Sequence, residues 1–234
     1  MTLTCNILGI AGSLRRKSYN RDTLRAATQL VPPGATIEVF ELDEIPVFNQ
    51  DNEEPPPAKV AELKRRIRAA DALLFVTPEY NYSIPGVLKN AIDWASRPRG
   101  DNAWTGKPAA IMGASLGSFG TARAQYHLRQ VFVFLNVYAI NKPEVMIGNA
   151  AERFDAQGNL SDETSKKLIR QLLQNLVEFA ERLRYAEERA GFPLTSASAQ
   201  PLAPSGTERL VEAREKIPGA YEKNIEKYLG HSEA

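Results

Sequence analysis

The residues that point most directly to chemistry lie in one short stretch, Thr77–Gly86. It follows the apolar run Leu73–Val76 and precedes Leu88–Ala95, whose apolar residues recur at helical spacing. It therefore connects a buried strand to a helix, and in open α/β sheets ligands bind beside such connections. Two tyrosines and an asparagine within it suit a flat, partly polar ligand. The alternative is a stiff surface turn with exposed tyrosines.

A second candidate loop, Gly12–Asn20, precedes a predicted helix and carries three basic residues among hydroxyl side chains. Free N–H groups and the positive dipole end of a helix bind phosphate, and a guanidinium strengthens such a site. A solvated basic loop has a similar composition. The P-loop and dinucleotide G-x-G-x-x-G patterns are absent, which favours a mononucleotide.

A third candidate loop is the glycine-rich segment Gly113–Gly120, whose glycines would let the backbone approach a ligand closely. Alone it is a weak signal, because glycine-rich turns are common. The three loops follow the first, third and fourth predicted strands. These strands are neighbours in a doubly wound sheet of order 2-1-3-4-5, so the loops should form one site.

Nucleophilic and metal chemistry have little support in this sequence. Ser13, Ser83 and Ser115 lack the G-x-S-x-G pattern of a nucleophile elbow. His127 and His231 are far apart and Cys5 is the only cysteine, which argues against a metal site. The segment Tyr126–Arg129 is interpreted as helix surface or subunit contact, and the nearby Phe132, Phe134 and Tyr138 as core or interface.

The elements that carry these loops are strands and helices that alternate along the chain. This alternation predicts an α/β fold with a parallel sheet covered on both faces. The last helix should begin after Ser161 as N-cap, with Leu168, Leu172, Leu176, Phe179 and Leu183 as its apolar stripe. Strands are predicted at 5–11, 36–41, 73–76, 108–112 and, interrupted, 137–147; helices at 21–30, 59–70, 88–95, 121–135 and 161–189.

Composition limits the function classes. The 234 residues carry 29 basic and 28 acidic side chains, a net charge of +1, so no overall field favours nucleic acid or an anionic membrane. A single cysteine and the lack of an apolar spanning run predict a cytoplasmic protein. A composition change near Gly191 predicts a domain at 1–190 and a tether with a helical C-terminal extension at 191–234, with a disordered tail as the alternative.

The three candidate loops together resemble the NADPH-dependent FMN reductase family of flavodoxin-like proteins, with most similarity to the bacterial quinone and chromate reductases. The resemblance covers about residues 4 to 185, and its most specific part is P-E-Y-N-Y-S-I-P-G-x-L-K-N-A-I-D-W. The matching segments are Gly12–Arg15, Ser18–Asn20, Thr77–Gly86, Leu88–Trp94 and Ala122–Gln130.

The resemblance implies a flavodoxin-like sheet of five parallel strands with non-covalently bound FMN. The phosphate would be held by Ser13, Arg15, Ser18 and Asn20, with Tyr19 beside them. The ribityl chain and ring would be lined by Pro78, Glu79, Tyr80, Asn81 and Tyr82, and the ring walled on its other side by Ser115, Leu116 and Gly117.

The same resemblance implies an enzyme that passes hydride from NADPH or NADH through FMN to a small acceptor. Quinones, chromate, azo compounds, ferric complexes and free flavin are the candidate acceptors. It also implies a homodimer or a dimer of dimers. The first alternative is a flavodoxin-type electron carrier without its own nicotinamide reaction, and the second is a scaffold whose terminal extension recruits a partner.

Overall fold

The computed structural model describes residues 4–191 and holds one twisted parallel sheet between two layers of helices. The predicted tether and extension at 191–234 lie, apart from Gly191, outside the described residues. The strands are β1 (Cys5–Ala11), β2 (Ala35–Phe40), β3 (Ala72–Val76), β4 (Pro108–Ala114), β5 (Tyr138–Ala139) and β6 (Val145–Ile147). The helices are α1 (Tyr19–Leu30), α2 (Ala58–Ala69), α3 (Gly86–Ala95), α4 (Ala122–Leu135) and α5 (Glu163–Ala190).

The strand order is β2-β1-β3-β4-β5, which confirms the predicted doubly wound arrangement. The fifth position of the sheet is shared by two short strands that both pair with β4. Pro108 aligns with Tyr138 at one end, and Met112 aligns with Val145 at the other. The interruption expected around Pro143 is therefore a complete break, since proline cannot supply a ladder N–H.

The two faces of the sheet build two separate apolar cores. On one face, Leu74 and Val76 pack with residues of α1 and α5. On the other, Leu73 and Phe75 pack with residues of α2, α3 and α4. Because successive side chains of a strand point to opposite faces, a strand buried on both sides is apolar throughout, as β3 is.

Two predictions about α5 were wrong in detail. Its N-cap is Asp162, whose carboxylate accepts a hydrogen bond from the main-chain N–H of Ser165, whereas the hydroxyl of Ser161 donates to the carbonyl of Arg153. The buried face of α5 also differs from the predicted apolar stripe, because Leu168 is 37% exposed. The buried residues of α5 are Ser165, Ile169, Leu172, Leu173, Leu176, Val177 and Ala180, so of the predicted stripe only Leu172 and Leu176 belong to the core.

Register along the sheet places the three candidate loops side by side. Ala11 aligns with Val76, and Val76 aligns with Met112, so β1, β3 and β4 end at nearly the same level. All strands are parallel, and their carboxyl ends therefore share one edge. In the part of the chain described here, no helix has the length and apolar character needed to cross a bilayer.

Candidate functional site

The first loop is held against its neighbours by main-chain and side-chain hydrogen bonds. The N–H of Gly12 donates to the carbonyl of Val76 at 2.9 Å, which joins the ends of β1 and β3. Ser13 is buried, and its hydroxyl accepts from the N–H of Arg15 at 3.3 Å. The loop thus keeps one fixed course from β1 to α1.

The start of α1 has the features of an anion site. The buried Ser18 is its N-cap and accepts from the N–H of Asn20 at 3.2 Å. The helix begins at Tyr19, two residues before the predicted start at Arg21. Arg15, Arg16 and Lys17 are exposed just before the cap. Within residues 4–191 none of these three cations pairs with a carboxylate, so they remain available to a phosphate.

Asn20 connects this first loop to β4. Its side-chain Nδ2 donates to the carbonyl of Ala114 at 2.9 Å, and its Oδ1 accepts from the N–H of Ala114 at 2.8 Å. Both residues are buried. The Asn20 side-chain amide therefore bonds the main chain of a residue 94 positions later in the sequence. Its predicted role as a phosphate ligand did not include this contact.

The second loop forms a tight turn that exposes its aromatic side chains. Tyr80 and Ser83 exchange main-chain hydrogen bonds of 3.0 and 2.9 Å, and the two residues between them, Asn81 and Tyr82, have φ angles of 50° and 66°. Left-handed backbone at both central positions is the geometry of a type I′ turn, and it is uncommon for a bulky side chain such as tyrosine. Pro78 is buried, whereas Tyr82 is 67% exposed.

The side chain of Glu79 bonds other groups of the protein. Its Oε2 accepts from the N–H groups of Arg123 and Ala124, at 2.9 and 3.2 Å, and its Oε1 pairs with the Arg123 guanidinium. The hydrogen bond that the Arg123 guanidinium donates to the Glu79 carboxylate is the main cause that raises the pKa of Arg123 above its ordinary value. A carboxylate at a helix N-terminus is also stabilised by the helix dipole. The Glu79 carboxylate therefore holds the start of α4, a role that its prediction as a ring-lining residue did not include.

The third loop differs from its prediction because β4 extends to Ala114, so Gly113 lies within the strand. A Cβ atom on Gly113 would lie 2.2 Å from the carbonyl oxygen of Thr77, and one on Gly120, with φ of 61°, would lie 2.9 Å from the main chain of Met146. Those two glycines serve packing within the protein. Gly117 has only the Ser115 hydroxyl nearby, at 3.8 Å from such a Cβ, and is the glycine that faces open space.

Five large apolar side chains on these loops are exposed. Leu116 and Phe119 of the third loop are exposed, like Tyr80 and Tyr82 of the second and Leu14 of the first. A contiguous exposed apolar patch commonly marks a binding site. These side chains and the cationic start of α1 offer an aromatic end and a charged end, a combination of groups that suits FMN.

Arg123 and Phe119 belong to the same cluster and were not among the predicted site residues. The Arg123 guanidinium carbon lies 3.8 Å from the centroid of the Tyr82 ring and 5.6 Å from that of Phe119. One sequence signal was present: a cation in the first turn of a helix opposes the dipole, so it needs another partner. That partner is Glu79, 44 positions away.

A separate cavity of about 170 Å³ lies at the opposite, amino-terminal edge of the sheet, beside Cys5, Lys107 and Arg184. The Lys107 ammonium already donates to the carbonyls of Arg68 and Ala70, at 2.9 and 2.6 Å. Burial raises the pKa of the Cys5 thiol to about 11, so it is a neutral core side chain. We assign no ligand there. No group of three or more His, Cys, Asp or Glu able to hold a metal occurs among the described residues.

A doubly wound parallel sheet of order β2-β1-β3-β4-β5, with candidate loops at the carboxyl ends of β1, β3 and β4, defines a flavodoxin-like protein. The family described as NADPH-dependent FMN reductase matches residues 5–152. The chain belongs to this family.

Individual relatives agree with the family assignment. An NAD(P)H-dependent FMN reductase of Pseudomonas aeruginosa is 59% identical over 180 residues, 76% of this chain and 96% of that protein. A 2-hydroxy-1,4-benzoquinone reductase of Burkholderia is 43% identical over 71% of this chain and 91% of its own length. Among solved structures, a flavoenzyme NAD(P)H:(acceptor) oxidoreductase of Paracoccus denitrificans superimposes with a TM-score of 0.71 at 36% identity, covering 76% of this chain and 98% of the other.

Proposed function

We propose that this protein is an FMN-dependent NAD(P)H oxidoreductase that reduces quinones or similar small acceptors. The observation that carries the proposal is the convergence of the three loops, tied together through Gly12–Val76 and Asn20–Ala114, in a chain of the FMN reductase family. When bound, FMN supplies the redox chemistry, accepting hydride from the nicotinamide and passing two electrons to the acceptor.

The protein's contribution is to bind and orient. Ser13, Ser18 and Asn20 are buried and shape the first loop, while Arg15 is exposed at the start of α1. Arg15 and the first N–H groups of α1 hold the phosphate, because charge-assisted hydrogen bonds to a phosphate are the strong ones. Tyr19, partly buried, packs its ring against Phe154 and supports the loop from behind.

The ring end is shaped by Pro78–Tyr82 on one side and Ser115–Gly117 on the other. The Ser115 hydroxyl accepts from the N–H of Gly117 at 3.2 Å and fixes the course of the third loop. Tyr80 and Tyr82 present exposed aromatic surface, which suits both a flavin ring and a flat acceptor. No acid–base cluster of side chains is required of this site, because bound FMN would supply the redox chemistry and the side chains would bind and orient.

The alternative is a flavodoxin-type carrier that binds FMN and exchanges electrons with a protein partner. A strongly acidic surface would favour that function, and the net charge of +1 does not. The deciding experiment is anaerobic reduction of the FMN-loaded protein. We expect NADPH or NADH to bleach the flavin absorbance and a benzoquinone to restore it, at rates fast enough for turnover. A protein that holds FMN but is not bleached by either nicotinamide is a carrier.

We also propose that the protein acts as a homodimer or a dimer of dimers, with α4 at the contact. Val133 and Phe134 near the end of α4 are 83% and 91% exposed, and Tyr126 on the same helix is half exposed. Large exposed apolar side chains that lie on one helix mark a candidate protein–protein contact surface. Light scattering of wild type and of Phe134→Ser tests this: the substitution should shift the assembly to monomer, and an unchanged mass would exclude this face.

Three further expectations stay predictions: the cytoplasm, the domain boundary and the role of the extension. The unpaired Cys5 agrees with a reducing compartment and hence with the cytoplasm. The domain boundary near 190 and the role of the extension concern residues beyond the described range. Deleting residues 192–234 and measuring assembly size and activity would test whether the extension contributes to either.

A further inference from the structure

One cation, Arg123, occupies an unusual place at the edge of the site. It is the second residue of α4, where the dipole disfavours a positive charge. The N-cap of this helix, Thr121, makes no capping hydrogen bond with its side chain. The cap comes instead from Glu79 of the second loop, whose carboxylate bonds two N–H groups of the first turn. Glu79 therefore ties the second loop to α4.

The Arg123 side chain adds a second link between Glu79 and α4, besides the hydrogen bonds from the main chain. Its guanidinium pairs with Glu79, whose side chain is only 6% exposed, so the pair is shielded from solvent on the carboxylate side. Its Nε is buried without a hydrogen-bond partner among the described residues. A donor left unpaired is unfavourable, so other contacts must hold the guanidinium in this place.

Those other contacts are aromatic and come from both sides of the site. The guanidinium carbon is 3.8 Å from the centroid of the Tyr82 ring, close enough for stacking and cation–π attraction. It is 5.6 Å from the Phe119 ring, which belongs to the third loop. One side chain thus contacts the turn of the second loop, the third loop and the start of α4.

The turn that Arg123 contacts needs support. Tyr82 has φ of 66°, a conformation that a bulky residue keeps only when its surroundings hold it. The main-chain bonds between Tyr80 and Ser83 close the turn, but they do not orient the Tyr82 ring. The Arg123 guanidinium lies over the face of this ring, a contact that favours the observed orientation of the ring.

We propose that Arg123 is a positioning residue that holds the Tyr82 ring and the Phe119 loop at the spacing that the flavin ring requires. This inference rests on the proposed function and adds a residue to it. Arg123 acts through Tyr82 and Glu79 and needs no contact with the reacting atoms. Lysine should not replace it, because an ammonium cannot stack on Tyr82 and pair in plane with Glu79 at once.

The test measures FMN binding by the apoprotein, followed by quenching of flavin fluorescence, and the absorbance spectrum of the bound flavin. We expect Arg123→Ala and Arg123→Lys each to raise the Kd for FMN about tenfold and to shift the near-450 nm flavin band. The matched control is Arg97→Ala, which removes an ion pair to the 11%-exposed Glu53 outside the three loops and should change neither quantity.

A double-variant cycle separates positioning from general stability. If Arg123 acts through Tyr82, then Tyr82→Ala with Arg123→Ala should weaken FMN binding no more than the stronger single change, whereas independent effects would multiply. Thermal unfolding of each apoprotein identifies variants that have lost the fold. If Arg123→Ala does not fold, Arg123→Lys, which keeps most of the side-chain length, and Arg123→Gln, which keeps a polar side chain without the charge, take its place.

The outcomes are distinguishable. A wild-type apoprotein that does not bind FMN would overturn the proposed function and this inference together. Folded Arg123 variants with a Kd within twofold of wild type and an unchanged spectrum would overturn the inference alone. Multiplicative losses in the double variant, or equal losses in Arg97→Ala, would also contradict it.

Discussion

Asn20 forms both of its side-chain hydrogen bonds with one residue, Ala114: the amide donates to the carbonyl at 2.9 Å and accepts from the N–H at 2.8 Å. This pair fastens the start of α1 to the end of β4, across the site from the turn at Tyr82. The site is therefore braced on two sides, by Asn20 between the first and third loops and by Glu79 between the second loop and α4.

Asn20→Ala should destabilise the apoprotein by about 2 to 4 kcal/mol, because both main-chain groups of the buried Ala114 lose their partner. Urea unfolding without FMN gives the free energy of unfolding free of any ligand effect. Asn175→Ala is the control: its amide donates to the carbonyl of Lys142 in an exposed position, so its loss should be well under about 1 kcal/mol. Equal losses in the two variants would contradict the bracing role.

Arg15→Ala should weaken FMN binding about 10- to 100-fold while leaving the unfolding of the apoprotein unchanged, since it removes a charged phosphate donor from an exposed position. Flavin content after gel filtration and a fluorescence titration measure the effect. The neighbouring Arg16→Ala removes the same charge one position away. If both variants bind FMN equally, the loss of affinity reflects long-range electrostatics, and the prediction of Arg15 as a specific phosphate ligand is wrong.

Gly113→Ala should prevent stable folding, with a cost of about 3 kcal/mol or more, because the new Cβ would lie 2.2 Å from the carbonyl oxygen of Thr77. The expected signs are low soluble yield and a strongly reduced melting temperature. Gly86→Ala at the start of α3 places a methyl group where nothing lies within 4 Å, so it should be neutral or slightly stabilising. A normal melting temperature for Gly113→Ala would show that β3 and β4 can move apart here.

Asp162→Ala should lower the free energy of unfolding by about 1 kcal/mol at pH 7 through loss of the N-cap of α5. Hydrogen bonds from the Ser165 side chain and main chain hold the pKa of Asp162 below its ordinary value. A depressed carboxylate pKa stabilises the fold above the unfolded value near 3.9, and this contribution disappears as pH falls through the lower native value.

The difference between wild type and Asp162→Ala should therefore be constant above about pH 5 and shrink below about pH 4. Urea unfolding at several pH values measures it. Ser161→Ala, at the position that the sequence suggested as the cap, is the control and should lose only one exposed hydrogen bond. A larger loss for Ser161→Ala than for Asp162→Ala would contradict the assignment of the cap.

Much of the fold could be predicted because local patterns carry it. The apolar runs at β1 and β3 identify strands buried on both faces, and their alternation with helical patterns implies a parallel sheet. Predictions failed where adjacent residues offer equal local choices. Ser161 and Asp162 are both good caps, and only the packing of α5 against β4 and α1 decides which one lies at its start.

By itself, the sequence determined the order of the elements, the three loops and the family resemblance, since each depends on residues close together in the chain. The tertiary structure alone decided which residues of those loops contact one another and their neighbouring elements. Glu79 meets Arg123 from 44 positions away, Asn20 meets Ala114 from 94, and Gly113 is a glycine because Thr77 lies against it. Such contacts leave no periodic trace in the sequence, because they depend on where the strands end once the sheet has formed.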